Sequence, residues 1–143
     1  MFNRVLLCYD GSEHGRRALK QGAELAISMG SEVYVLAIVP SSADAAMHLS
    51  RVAGHASFDS ETEYQQILNE SLAWLKARNV TASAHLAHGE VIDVILECAK
   101  RLKSDLIVVG QYPKSGSTRW WSGAKKRSLS EHSPCSVLIS IGP

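Results

Sequence analysis

The chain has 143 residues, 45% of them hydrophobic and 20% charged, with a formal net charge of +1. That length fits one domain with one core, and the near-neutral balance argues against a dedicated nucleic-acid binder, whose domain is usually strongly basic. No apolar run approaches the roughly 18 residues of a membrane span, and the opening run Val5 to Cys8 meets Asp10-Gly11-Ser12 too soon for a signal peptide, so a cytoplasmic protein without a membrane partner is expected.

Arg4 to Tyr9 is a short apolar run closed by Asp10-Gly11-Ser12, the pattern of a buried strand and a tight turn. A helix follows from about Glu13 to Met29. Ala18, Leu19, Gly22, Ala23, Leu25 and Ala26 build its apolar face, and Gly30 is placed to cap its end. Val33 to Val39 is continuously apolar and stopped by Pro40, as a strand covered on both faces requires. Residues 40 to about 58 suggest a loop with a short helix near Ala45 to Val52. A second long helix runs from about Asp59 to Arg78, its inner stripe supplied by Tyr64, Ile67, Leu68, Leu72 and Leu75. From Val80 to Ala87 the chain alternates, with Val80, Ala82, Ala84 and Leu86 set against Thr81, Ser83, His85 and Ala87. That fits a half-exposed edge strand.

Gly89 is read as opening a third helix through about Leu102, with Val91, Val94, Ile95 and Cys98 inward. Asp105 to Val109 is another buried strand, ending at Gly110. A last helix spans about Trp121 to His132, Pro134 breaks it, and Cys135 to Ile141 is the final strand. Strands separated by helices predict an α/β domain over residues 1–143: an open, doubly wound, five-stranded parallel sheet with helices on both faces.

Ligands of such sheets bind beyond the carboxyl ends of the strands. That rule selects Tyr9-Asp10-Gly11, Ile38-Val39-Pro40 and the segment from Gly110 onward. Between Leu106 and Ser130 there is no acidic residue, yet Lys114, Arg119, Lys125, Lys126 and Arg127 are present among glycines and hydroxyl residues. A cationic loop feeding a helix N-terminus suits an anion, since free N–H groups and the helix dipole both favour phosphate. A merely solvated loop has the same composition.

Familiar nucleotide loops do not fit. Gly110 and Gly116 are separated by five residues, not the four of a P-loop, and Ser117 stands where its lysine belongs. The first turn lacks GxGxxG. The histidines form no HExxH pair, Glu63, Glu70, Glu90 and Glu97 read as helix surface charges, and no catalytic constellation is visible, so no enzyme is expected. Cys8, Cys98 and Cys135 stand far apart without CxxC spacing and read as reduced thiols, with no metal implied. Of Trp120-Trp121, one reads as packing under the last helix and the other as lying at the surface or an interface, in preference to a stacking platform for a base.

The opening strand with Tyr9-Asp10-Gly11-Ser12, the phrase Asp105-Leu-Ile-Val-Val-Gly110 and the closing Ser133-Pro134-Cys135-Ser136-Val137-Leu138 resemble the universal stress protein family along essentially the whole chain. The resemblance implies the strand order 3-2-1-4-5 and an adenine-nucleotide site for ATP or AMP. In nucleotide-binding members a glycine ends the fourth strand; two residues intervene before a second glycine and nine more before a third, which Ser or Thr follows. Here Gly110 and Gly123 keep the first and third positions, Pro113 replaces the second glycine, and Ala124 replaces the hydroxyl residue. Proline has no N–H to donate and cannot adopt positive φ, and alanine has no hydroxyl. Weakened binding is therefore expected, partly offset by Lys125 and Lys126.

The implied binding set is Tyr9, Asp10, Ile38, Val109, Gly110, Gly123, Ala124 and Lys125. In it Asp10 meets the adenosine end and Ile38 lines the adenine pocket. Read without the resemblance, Asp10 is equally a turn-forming carboxylate and Ile38 a core residue. The resemblance also implies a homodimer through the edge strand Cys135 to Ile141. The expected function is a non-catalytic stress-response or regulatory module with weakened adenine-nucleotide binding; the alternative is a dimeric protein-interaction module that binds none.

Overall fold

Continuous apolar runs place β1 (Arg4–Cys8), β2 (Glu32–Pro40) and β4 (Leu106–Gly110) at the centre of one sheet, where Val5, Leu6, Val35, Ile38, Ile107 and Val109 have no exposed surface. The structure, a computed structural model, describes residues 1–40, 60–110 and 123–141; for residue 60 and residues 123–126 it describes the backbone alone. The expected short helix near Ala45 to Val52, Pro113 and the tryptophan pair lie outside the described residues. β3 (Ala82–Gly89) and β5 (Ser136–Ser140) flank the central strands. All pairings are parallel, in the order β3-β2-β1-β4-β5.

The helices connecting these strands are α1 (Glu13–Met29), α2 (Ser60–Lys76), α3 (Val91–Leu102) and α4 (Gly123–His132). Right-handed crossovers put α1 and α2 on one face, because their connections step leftward from β1, and α3 and α4 on the other, because theirs step rightward. Contacts agree: α1 lies over β4 and β1, α2 over β2 and β3, and α3 touches α4.

Local chemistry sets the helix ends. Ser12 caps α1 by accepting the Gly15 N–H at 3.0 Å, and Gly30 ends it in the left-handed region at φ 64°, where glycine carries no Cβ penalty. The sequence reading of Gly89 as a helix opener is displaced by one residue: Gly89 closes β3 at φ 140°, and Glu90 caps α3 by accepting the Asp93 N–H at 3.0 Å. Gly22 lets α1 settle on the sheet, since a Cβ there would lie 2.3 Å from Leu7 Cδ2. β3 is half-exposed as an edge strand should be, with Ser83, Ala84 and His88 exposed.

At the opposite end of the sheet from the candidate ligand loops, Asp105 fastens the start of β1. Its carboxylate accepts the N–H groups of Asn3 at 2.7 Å and Arg4 at 2.9 Å, while its own N–H donates to the Arg4 carbonyl at 3.0 Å. Burial pulls this carboxyl upward, but the backbone N–H groups outweigh it and hold the pKa below the ordinary range. A depressed folded pKa contributes stability above the unfolded value near 4, and that contribution is lost as pH falls through the folded pKa. Asp105→Ala is therefore expected to lower unfolding free energy at pH 7 by about 1–2 kcal/mol, towards the small end for bonds to a charged group because the site is near the surface. Urea titrations at pH 7 and pH 3 check this: the gap between variant and wild type should narrow in acid.

Candidate functional site

The switch in strand order lies between β1 and β4, where the connections leave for opposite faces of the sheet. Past Cys8 the β1 chain keeps its pairing for one more residue, the Tyr9 N–H donating to the Leu36 carbonyl at 3.1 Å, and then delivers Asp10. Asp10 is only 4% exposed. Its Oδ1 accepts the Ser12 N–H at 2.9 Å and the Ser12 hydroxyl at 2.5 Å, and Ser12 in turn caps α1. Its Oδ2 is buried with no hydrogen-bond partner among the described residues. The turn thus accounts for Oδ1 and leaves Oδ2 over.

The turn is built tightly around that carboxylate. Gly11 takes φ 83°, and a Cβ on Gly15 would lie 2.8 Å from Asp10 Oδ1. Gly110, at the end of β4, is closer still to its neighbour: a Cβ there would lie 2.6 Å from the His14 carbonyl oxygen and 3.1 Å from the Gly15 nitrogen. The end of β4 therefore presses on the first turn of α1, and the N-terminus of that helix opens at the switch point. Two further buried polar atoms without partners among the described residues belong to this corner, His14 Nδ1 and Ser140 Oγ. His14 is the residue whose backbone meets Gly110, and Ser140 pairs with Gly110 in register. Neither was singled out from sequence; it is the structure that buries Ser140 to 3% exposure and sets it opposite Gly110 in the ladder.

The remaining expected residues fall into three groups. Ile38 and Val109 are fully buried walls near the ends of β2 and β4. Gly123 begins α4, whose first turn contains no acidic residue, with Ala124 and Lys125 following in the helix backbone. Tyr9 contributes its backbone to the strand end, but its side chain runs between α1 and α2, where the hydroxyl accepts a bond from Arg16 Nε at 3.1 Å. Burial pushes the Tyr9 phenol up, and the bond from Arg16 offsets part of that rise. The structure thus gathers Asp10, Gly110, Ile38 and Val109 around the strand ends and turns the Tyr9 ring elsewhere.

Because the His14 carbonyl is backbone and cannot swing aside, Gly110→Ala is expected to push β4 and α1 apart and to cost about 1–3 kcal/mol, as overpacking does. A denaturation curve measures the cost, and an unchanged midpoint would refute the close approach.

A family model described as the universal stress protein family matches residues 1–140. Universal stress protein YxiE of Bacillus subtilis is 29% identical, the match covering 97% of this chain and 99% of that protein. A universal stress protein solved in complex with cAMP superposes with a TM-score of 0.74 at 20% identity, covering 99% of each chain. The universal stress protein from Archaeoglobus fulgidus in complex with dAMP gives a TM-score of 0.69 at 18% identity over 97% of each chain. At these identities the two structures establish a common fold.

Proposed function

The chain belongs to the universal stress protein family, and from that premise we propose that it is a non-catalytic, cytoplasmic regulatory module that binds an adenine nucleotide, ATP or AMP, more weakly than relatives with the full glycine motif. The observation that carries this reading is the idle, buried Oδ2 of Asp10 beside the N-terminus of α1. A carboxylate oxygen removed from water without a donor is costly, and a ligand hydroxyl or amino group would satisfy it. The fold relatives solved with cAMP and dAMP support the choice of an adenine nucleotide.

In this reading the nucleoside donates to Asp10 near the ends of the strands that carry Ile38 and Val109, while the phosphates meet Gly110, Gly123, Ala124 and Lys125. Pro113 withholds an N–H and Ala124 a hydroxyl from the phosphates. Each missing bond costs about 1–3 kcal/mol, so two of them move a micromolar affinity towards millimolar.

Calorimetric titration of nucleotide-free protein with ATP and AMP tests the proposal, and dissociation constants between about 0.1 and 1 mM are expected. Asp10→Asn keeps the acceptor that holds Ser12 but replaces the idle oxygen with a donor, so affinity should fall about tenfold or more while the melting temperature barely moves. Pro113→Gly combined with Ala124→Ser should tighten phosphate binding by about tenfold or more. If neither wild type nor that double variant binds nucleotide, the protein-interaction reading takes its place.

We further propose a homodimer through the strand region Cys135 to Ile141. β5 is an edge of the sheet, and Ile139 and Ile141 are 37% and 66% exposed. An apolar edge with unpaired backbone groups favours a second copy. Ile139→Lys with Ile141→Lys is expected to leave a monomer in sedimentation equilibrium; an unaltered dimer would place the interface elsewhere.

A further inference from the structure

Away from the strand ends, α1 and α2 enclose a cavity of about 350 Å³. That is near the lower end of the roughly 300–1,000 Å³ typical of small-molecule sites. Among the described residues, Tyr9 is the only expected nucleotide-site residue in its lining. The floor is apolar and aromatic, formed by Tyr9, Leu19 and Trp74, the first two 1% and 4% exposed. The rim carries charge of one prevailing sign. Arg16 and Arg17 are matched by Glu70 and Glu13 at 3.0 and 3.2 Å. Lys20 and Arg78 also line the cavity, and neither has a carboxylate partner among the described residues. The Arg78 guanidinium is held over the Trp74 ring, 3.6 Å from its centroid, and Nη1 donates to the Trp74 carbonyl at 3.1 Å.

We propose that this groove is a second ligand site, separate from the strand ends, which takes a small organic monoanion: a carboxylate on an apolar body. Three features select that class. The aromatic and aliphatic lining, with one face of Trp74 already covered by Arg78, favours an apolar body beside that ring. The two cations left over on the rim favour an anion, and Arg78 is fixed in orientation by its stack on Trp74 and its bond to the backbone, so little side-chain freedom is lost on binding. The Tyr9 hydroxyl accepts from Arg16 and keeps its own proton, which leaves a donor for a ligand oxygen. A nucleoside triphosphate matches poorly, having more negative charge than two unmatched cations balance and a polyphosphate tail that the apolar floor does not serve.

The test titrates the full chain with 2-naphthoate and with its neutral counterpart 2-naphthamide at low ionic strength, followed by calorimetry. Naphthoate is expected to bind with a dissociation constant below about 1 mM, and naphthamide about tenfold or more weaker. Lys20→Gln combined with Arg78→Gln, both at exposed positions, should weaken naphthoate binding by about tenfold or more, with no such effect on the amide. Saturating ATP should leave naphthoate bound. Asp10→Asn should do the same, which separates failure here from failure of the nucleotide reading. Equal affinity for acid and amide, wild-type affinity in the double variant, displacement by ATP, or no naphthoate binding up to about 1 mM would each overturn the proposal.

Discussion

The arrangement at the strand ends depends on how closely Gly110 approaches the first turn of α1. Two peptide backbones meet where any side chain on β4 would intervene, the His14 carbonyl lying 2.6 Å from where a Cβ would be. That contact draws the N-terminus of α1 over the gap between β1 and β4. It brings His14 beside the end of β4, whose register partner is Ser140, and keeps the β1–α1 turn tight enough to bury Asp10. The glycines at 11 and 15 serve the same geometry from the other strand, one by taking positive φ and the other by leaving room for the Asp10 carboxylate. A parallel sheet supplies a switch point by topology alone. The absence of Cβ atoms narrows this one to a polar corner.

Much of this was legible in the amino-acid sequence, and for identifiable reasons. β1, β2 and β4 are continuous apolar runs that no amphipathic pattern imitates, and α1 is bracketed by a serine cap and a left-handed glycine, so its limits agree with the expectation at both ends. Gly89 misled because glycine marks both strand ends and helix ends, and it is the ladder pairing with Pro40 that assigns it to the strand. Pro40 was expected to stop β2 but instead forms its last residue, paired with Gly89, a terminal position that suits a residue with no N–H to offer the ladder.

The candidate site was legible where chemistry is local and obscure where it is cooperative. Asp10 followed by Gly11 and Ser12 announces a turn, and the turn exists. What sequence does not give is that one carboxylate oxygen is spent on that turn while the other is left over, because this depends on how far burial extends around it. His14 and Ser140 were missed for the same reason: a histidine in a first helical turn and a serine in a final strand are ordinary surface residues until packing from other elements closes over a nitrogen and an oxygen.

Tyr9 and Asp10 show how adjacent residues can be committed to different chemistry. Successive residues of an extended chain point to opposite sides, so when one caps the strand ends the other must leave them. Asp10 remains against the α1 turn with its acidic oxygen unmatched, whereas the Tyr9 ring enters the space between α1 and α2 and meets a guanidinium. One end of the protein therefore presents a buried acceptor that calls for a donor, and the groove beside it presents cations that call for an acceptor. A single step along the chain thus sets a buried acceptor at the strand ends and a phenol between two helices, and the alternation of Tyr9 and Asp10 is what separates them.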